Sequence, residues 1–152
     1  MSIKEGVMHL ERYEFEVHGN RYFFFSEGLK GKIKKAILYR KFDEISTYNL
    51  VFGDWSKRLG RIDDQAVTNN GDRQKVLATV AASVIHFMST HPEASIFAIG
   101  STPPRTRLYQ MGIRAYLMEI TFRFEIEGFI HGQWEPFRPG RNYEGFLITN
   151  KK

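Results

Sequence analysis

The residues with the most pointed chemistry stand in a row: Gly100-Ser101-Thr102-Pro103-Pro104-Arg105-Thr106-Arg107. They follow Ser95-Ile96-Phe97-Ala98-Ile99, a nearly continuous apolar run that predicts a central strand buried on both sides, and they open a stretch with helical spacing. A strand that ends in glycine and hands over to a helix presents unpaired amide N–H groups at the positive end of a helix dipole, which favours anions. Arg105 and Arg107 add guanidiniums, whose planar forks fit phosphate or carboxylate better than an ammonium does. Gly100, Ser101, Thr102, Arg105 and Arg107 are therefore candidate anion-binding residues, and an anionic small molecule is the expected partner. The plainer alternative is that Ser101 and Thr102 cap the helix while the arginines pair with surface acids. The loop is not a P-loop, because no Gly-Lys-Ser/Thr follows at the required spacing.

A second loop, Asn69-Asn70-Gly71-Asp72-Arg73, stands at another helix start, and Asn70, Gly71 and Arg73 are its candidate ligand residues. If the sheet sets both helix starts at one edge, the two loops share a pocket. Asp72 opposes this, since its charge suits a helix N-terminus and repels a phosphate there. Other chemistry is thinner. Asp63-Asp64 is half a metal site without a third ligand, and His9, His18, His86, His91 and His131 form no ligand motif, so no metal is expected. Ser101 lacks a nucleophile elbow. The absence of cysteine excludes disulfides, thiolate metal sites and a cysteine nucleophile. No catalytic residue is assigned, and whether the chain is an enzyme stays open. Trp55 and Trp134, near Phe137 and Tyr143, either line a pocket or cover the ends of the core.

Lys30, Lys32, Lys34, Lys35, Arg40 and Lys41 form a basic stretch with no acid between Gly28 and Phe42. Alternation puts Lys30, Lys32 and Lys34 on one strand face, beside a strand holding Tyr22-Phe23-Phe24-Phe25. Cations beside rings suit single-stranded nucleic acid, charge for the backbone and π-faces for the bases. The alternatives are edge protection by lysine and rings that belong to the core.

These residues need elements to position them. The chain has 152 residues with a formal charge of +5, 42% hydrophobic and 26% charged, the composition of one globular domain spanning 1–152. No apolar run is long enough for a membrane span and no signal-peptide core is present, so a cytoplasmic protein away from membranes is expected. Tyr13, Phe15 and Val17 alternate with polar residues, Gly19-Asn20 makes a turn, and strands follow over 21–25, 33–39 and 47–54. Residues 56–70 read as an exposed loop. A main helix spans 72–90, with Leu77, Val80, Val84 and Phe87 on its stripe and alanines keeping it slim. A second helix spans 103–117, capped by Thr102 with proline in its first turn. Gly112 within it is either a packing point or an early end. Alternation over 120–127 predicts a strand, residues 128–142 a loop, and 143–149 a last strand. The sum is an α+β domain: a mostly antiparallel, curved sheet of about seven strands with two main helices, in the order ββββ-α-β-α-ββ. The joint at Gly100 is where a parallel neighbour would open a crevice.

Thr68-Asn69-Asn70-Gly71-Asp72, Lys75-Val76-Leu77-Ala78-Thr79-Val80, Gly100-Ser101-Thr102 with Arg105-Thr106-Arg107-Leu108-Tyr109, and the final Asn142-Tyr143-Glu144 with Phe146-Leu147-Ile148 carry a resemblance. The chain resembles a small domain-of-unknown-function family found mostly in Bacteroidetes, which implies a bacterial source and brings no established activity. Arg107-Leu108-Tyr109-Gln110-Met111-Gly112-Ile113, with the order of elements, is also similar to the GNAT acetyltransferase fold. That likeness implies coenzyme A as cofactor. It departs where GNAT enzymes hold pyrophosphate with a Gln/Arg-x-x-Gly-x-Gly/Ala loop, because Asn69-Asn70-Gly71-Asp72-Arg73-Gln74 puts an acid where a small residue belongs. Fold likeness alone does not carry function.

Overall fold

A period of two in the first third of the chain dictates a sheet with unlike faces. The computed structural model describes residues 11–41, 46–63 and 68–151. Strands β1 (Glu16–His18), β2 (Arg21–Gly28), β3 (Gly31–Lys41) and β4 (Thr47–Ser56) pair antiparallel in sequence order. A short β5 (Arg61–Asp63) folds back on the end of β4. Helix α1 (Arg73–Thr90) leads to β6 (Ser95–Ala98), which pairs parallel with the beginning of β4. Helices α2 (Pro103–Ala115) and α3 (Leu117–Arg123) precede β7 (Phe124–Ile130), β8 (Gln133–Pro136) and β9 (Gly145–Asn150). The sheet runs β1-β2-β3-β4-β6-β9-β7-β8 with β5 beside β4, nine strands among the described residues. The result is an α+β domain with a mixed sheet.

One face carries the core. Tyr22, Phe24, Ile37, Phe52, Ile96 and Phe146 point from the sheet toward Leu77, Ala81, Val84 and Phe87 of α1 and Ile113 of α2. Ala78 and Ala81 are buried and keep α1 slim, as the sequence predicts. Gly112 lies inside α2 as a packing point, where an added Cβ would sit 3.4 Å from Leu77. On the opposite face stand Phe23, Phe25, Lys34, Val51 and Trp55, alternating with the core residues of the same strands.

Several elements depart from expectation. Residues 120–123, expected as the start of a strand, are helical. The buried series Ile113, Tyr116, Ile120 and Phe124 has three- and four-residue spacing, and this stripe overrides the local alternation. Phe122, on its other side, is 71% exposed. β5 and β8 replace parts of two expected loops; both are short and polar, and they are held by backbone pairing rather than by an apolar pattern. β1 is shorter than expected because Tyr13 leaves the sheet, its N–H donating to Thr79 Oγ1 at 2.8 Å. The run into Gly100 is central but covered on one face only: Ile96 and Ala98 are buried, whereas Ile99 is exposed. His9 and Asp64 lie outside the described residues.

Candidate functional site

β6 pairs with β4 only over residues 47–49, and β5 joins β4 only from Asp54. Between these limits β4 needs hydrogen-bond partners that no described strand on that side supplies. Side chains of α2 fill the gap. Arg105 Nη1 donates to the Phe52 carbonyl at 2.9 Å, and the Tyr109 hydroxyl donates to the Leu50 carbonyl at 3.4 Å. Burial pushes the Tyr109 hydroxyl up to about 12, against the opposing pull of Arg105. Gly100 makes the tight handover from strand to helix, since a Cβ there would lie 2.6 Å from Arg105 Cβ and Thr106 N.

Here the starts of α1 and α2 face one cleft of about 260 Å³. Lys35, Asn69, Asn70, Asp72 and Arg73 line one side, and Thr102, Pro104, Arg105 and Leu108 the other. The two loops singled out in the sequence thus share a pocket. Lys35 is its buried floor and the site residue that sequence reasoning missed. Alternation had the signal, because Lys35 must oppose Lys34. Lys35 Nζ donates to Asp54 Oδ1 at 2.6 Å and to the Thr68 carbonyl at 2.8 Å, while Asp54 Oδ2 accepts from Thr68 Oγ1 at 2.6 Å. This ion pair ties the loop before α1 to the sheet.

Asn70 continues the anchorage. Its Oδ1 accepts from Lys30 N at 2.6 Å, and its Nδ2 donates to Gly31 O at 2.8 Å and Ser26 Oγ at 3.1 Å. Its backbone presses so close to the β2–β3 turn that a Cβ on Gly28 would lie 1.9 Å from Asn70 O. Gly71 takes a left-handed φ of +80°, which glycine adopts without strain. Arg73 is exposed at the rim. Asp72 stands at the N-cap of α1 but makes no side-chain cap bond. Its Oδ2 instead accepts from the hydroxyls of Tyr13 and Ser26, each at 2.5 Å. Burial, then this bond, holds the Tyr13 hydroxyl above its usual range.

The start of α2 differs from expectation in its amides. Pro103 and Pro104 have none to offer. Arg105 N donates to Thr102 Oγ1 at 3.3 Å, the expected cap, and Gly100 N donates to Thr106 Oγ1 at 2.9 Å. Of the amides expected there, two are replaced by proline and those of Gly100, Arg105 and Thr106 are bonded within the chain, and the Pro-Pro pair was the visible warning. Arg107 is exposed and lines a second cleft of about 300 Å³ with Ser101, Asn142 and Glu144. Gln110 walls it, accepting from Tyr143 N at 2.9 Å and donating to Arg141 O. The two arginines therefore serve different clefts.

Of the basic stretch, Lys32, Lys34 and Arg40 share the helix-free side, and Lys35 alone enters the core. Trp55 and Trp134 lie in strands rather than loops. Among the described residues no helix is long and apolar enough to cross a membrane.

Residues 9–151 match the Family of unknown function (DUF6934). The chain belongs to this family. The match covers both loops and all three helices of this DUF6934 chain. No curated protein and no solved structure gives a significant match.

Proposed function

We propose that this domain binds a phosphate- or carboxylate-bearing small molecule in the cleft between the starts of α1 and α2. Arg105 is the observation that carries it. Its side chain is buried at 8% exposure, bonds to a carbonyl, and has no carboxylate within ion-pair distance among the described residues. A buried charge without a counter-charge is costly, by several kcal/mol. An anion entering the cleft supplies that counter-charge. Lys35 is already answered by Asp54. Arg73 offers a second guanidinium at the rim, and Thr102 and Asn69 add neutral polar groups. Asp72 holds its charge toward Tyr13 and Ser26, so the anion seats on the α2 side. The cleft opens beyond the carboxyl end of β6, beside the part of its parallel neighbour β4 that runs on past it, a crevice of the kind in which open sheets place ligands. A ligand long enough to pass the start of α2 reaches Ser101 and Arg107 in the second cleft.

Coenzyme A-dependent acyl transfer is the second reading, favoured by the parallel pair β4 and β6 parting between two helix starts. Against it, Arg105 and Tyr109 fill the parting and Asp72 stands in the loop before α1.

Thermal unfolding with phosphate, citrate, a nucleoside triphosphate and coenzyme A tests both. An anion at a hundredfold excess over its Kd raises Tm by roughly 5–10 °C. Arg105→Gln or Arg73→Gln removes most of the shift, and Arg107→Gln leaves the phosphate shift intact. No shift with any anion, or a shift unchanged by Arg105→Gln, overturns the proposal. Coenzyme A binding far tighter than the other anions promotes the second reading.

A further inference from the structure

The helix-free face of the sheet carries a second set of cations that the cleft does not use. Arg21, Arg40 and Arg61 line a groove of about 130 Å³ with Phe23, Val51 and Trp55. No acid lines it. Lys34 extends the set, its Nζ 4.7 Å from the ring centroid of Phe23 and 5.9 Å from those of Phe25 and Trp55. Lys32 Nζ lies 5.2 Å from the Phe25 centroid. The acids nearest in register are at the margins of the set: Glu16 of β1, opposite Phe23 and 3.4 Å from His18, and Glu27 of β2, opposite Lys32. Glu125 and Glu127 are on β7, on the far side of β4, β6 and β9.

Rings packed edge to face normally close a core, yet here none of the described helices covers them. Phe23 and Trp55 meet at 5.2 Å with planes at 89°, and Phe25 is 45% exposed. Cations interleaved with rings, around a groove with no acid in its described lining, match one partner chemistry: a chain of phosphates bearing flat, unstacked bases. We propose that this face of β2, β3 and β4 binds single-stranded nucleic acid. Phosphates lie against Arg21, Arg40 and Arg61, and bases stack on Phe25 and on the Phe23–Trp55 pair. A stacking base displaces the Lys34 ammonium from the rings and frees it to meet a phosphate. Duplex is excluded by the same geometry, because its bases show the surface only their edges.

The test is fluorescence anisotropy on the full chain with a labelled oligothymidylate and an oligouridylate of about 16 nucleotides. Binding is expected at low salt, with a slope of log K against log salt between about −2 and −3.5, the value for roughly three to five phosphates on a single strand. Arg40→Glu with Arg61→Glu weakens it by about tenfold or more. Trp55→Ala costs roughly tenfold and Trp55→Phe restores most of it. Because Trp55→Ala also touches Phe23, the exposed charge-reversal pair is the deciding variant, with its Tm measured alongside. No binding at low salt, unchanged binding by a folded charge-reversal pair, equal affinity for duplex, or equal affinity for polyglutamate overturns the proposal. Self-association in sedimentation that disappears in the charge-reversal pair also overturns it, because the face then serves a second copy. This experiment and the thermal one probe opposite faces, so failure of either leaves the other standing.

Discussion

Phe24 and Phe25, and Lys34 and Lys35, are neighbours in sequence that fall on opposite faces of one sheet. Phe24 and Lys35 sit opposite each other in register under the helices, and Phe25 and Lys34 sit opposite each other on the bare side. Phe24 is 2% exposed and stacks between Tyr13 at 5.6 Å and Phe52 at 6.4 Å. Lys35 is buried and ion-paired with Asp54. Across the sheet, the same two residue types leave the ring open and the cation resting on π-faces in reach of water. Identical chemistry thus becomes structure on one face and an accessible surface on the other. What decides is whether a helix covers it.

Truncation measures that difference most directly. Phe24→Ala removes a fully packed ring and is expected to cost about 3–5 kcal/mol in chemical denaturation. Phe25→Ala, on the bare face, is expected to cost less than about 1 kcal/mol. The lysines should divide in the same way. Lys35→Met leaves Asp54 without its cation in a site where the carboxylate side chain is 15% exposed, and breaking such a pair costs about 3 kcal/mol. Lys34→Met should stay within about 0.5 kcal/mol. Equal losses for Lys34→Met and Lys35→Met would erase the contrast between the faces.

A middle-sized effect is expected where the covered face meets the loop before α1. Asn70→Ala strips partners from Lys30 N, Gly31 O and Ser26 Oγ together, and unpaired buried groups cost about 1–3 kcal/mol. The same change loosens the wall of the cleft between the starts of α1 and α2. Asn70→Ala should therefore lower both Tm and any anion-induced shift, whereas Arg73→Gln should lower the shift alone.

Alternation made the inward sides of β3 and β4 legible in the sequence, and left the four rings Tyr22–Phe25 undivided. Ile37 and Phe52 fall inward as a period of two requires, and Thr102 caps α2 with proline behind it. What stayed hidden depends on partners distant in sequence. β5 and β8 exist because β4 and β7 offer free edges, not because their own residues favour strands. Asp72 is drawn from its capping role by Tyr13 and Ser26, 59 and 46 residues away. Arg105 turns inward because β4, paired with β3 at Phe52, has no described strand partner on its other side there, which local spacing does not encode. The loops that form the cleft were legible as loops; which of their groups remain available to a ligand was set by long-range bonding.

The smallest effect at neutral pH concerns the tyrosines, and it separates the faces by chemistry rather than packing. The core face uses hydroxylated rings where a partner exists: Tyr22 with His86 Nδ1 at 2.6 Å, Tyr39 with Ser83 Oγ at 2.7 Å, and Tyr109 with the Leu50 carbonyl. The groove opposite uses Phe23 and Trp55, which carry no phenol to titrate. Burial pushes Tyr22 and Tyr109 up to about 12 and Tyr39 well above its ordinary value. The folded chain therefore keeps protons on these phenols that the unfolded chain releases near pH 10. Their contribution to stability is complete below pH 10 and is lost as pH rises toward about 12. Tyrosinate absorbance followed with far-ultraviolet circular dichroism should show these phenols titrating late, with unfolding setting in over the same interval. Ionisation of every tyrosine near pH 10 with the fold intact would mean that the core face is open to hydroxide, and the distinction between a sealed face and an accessible one would fall with it.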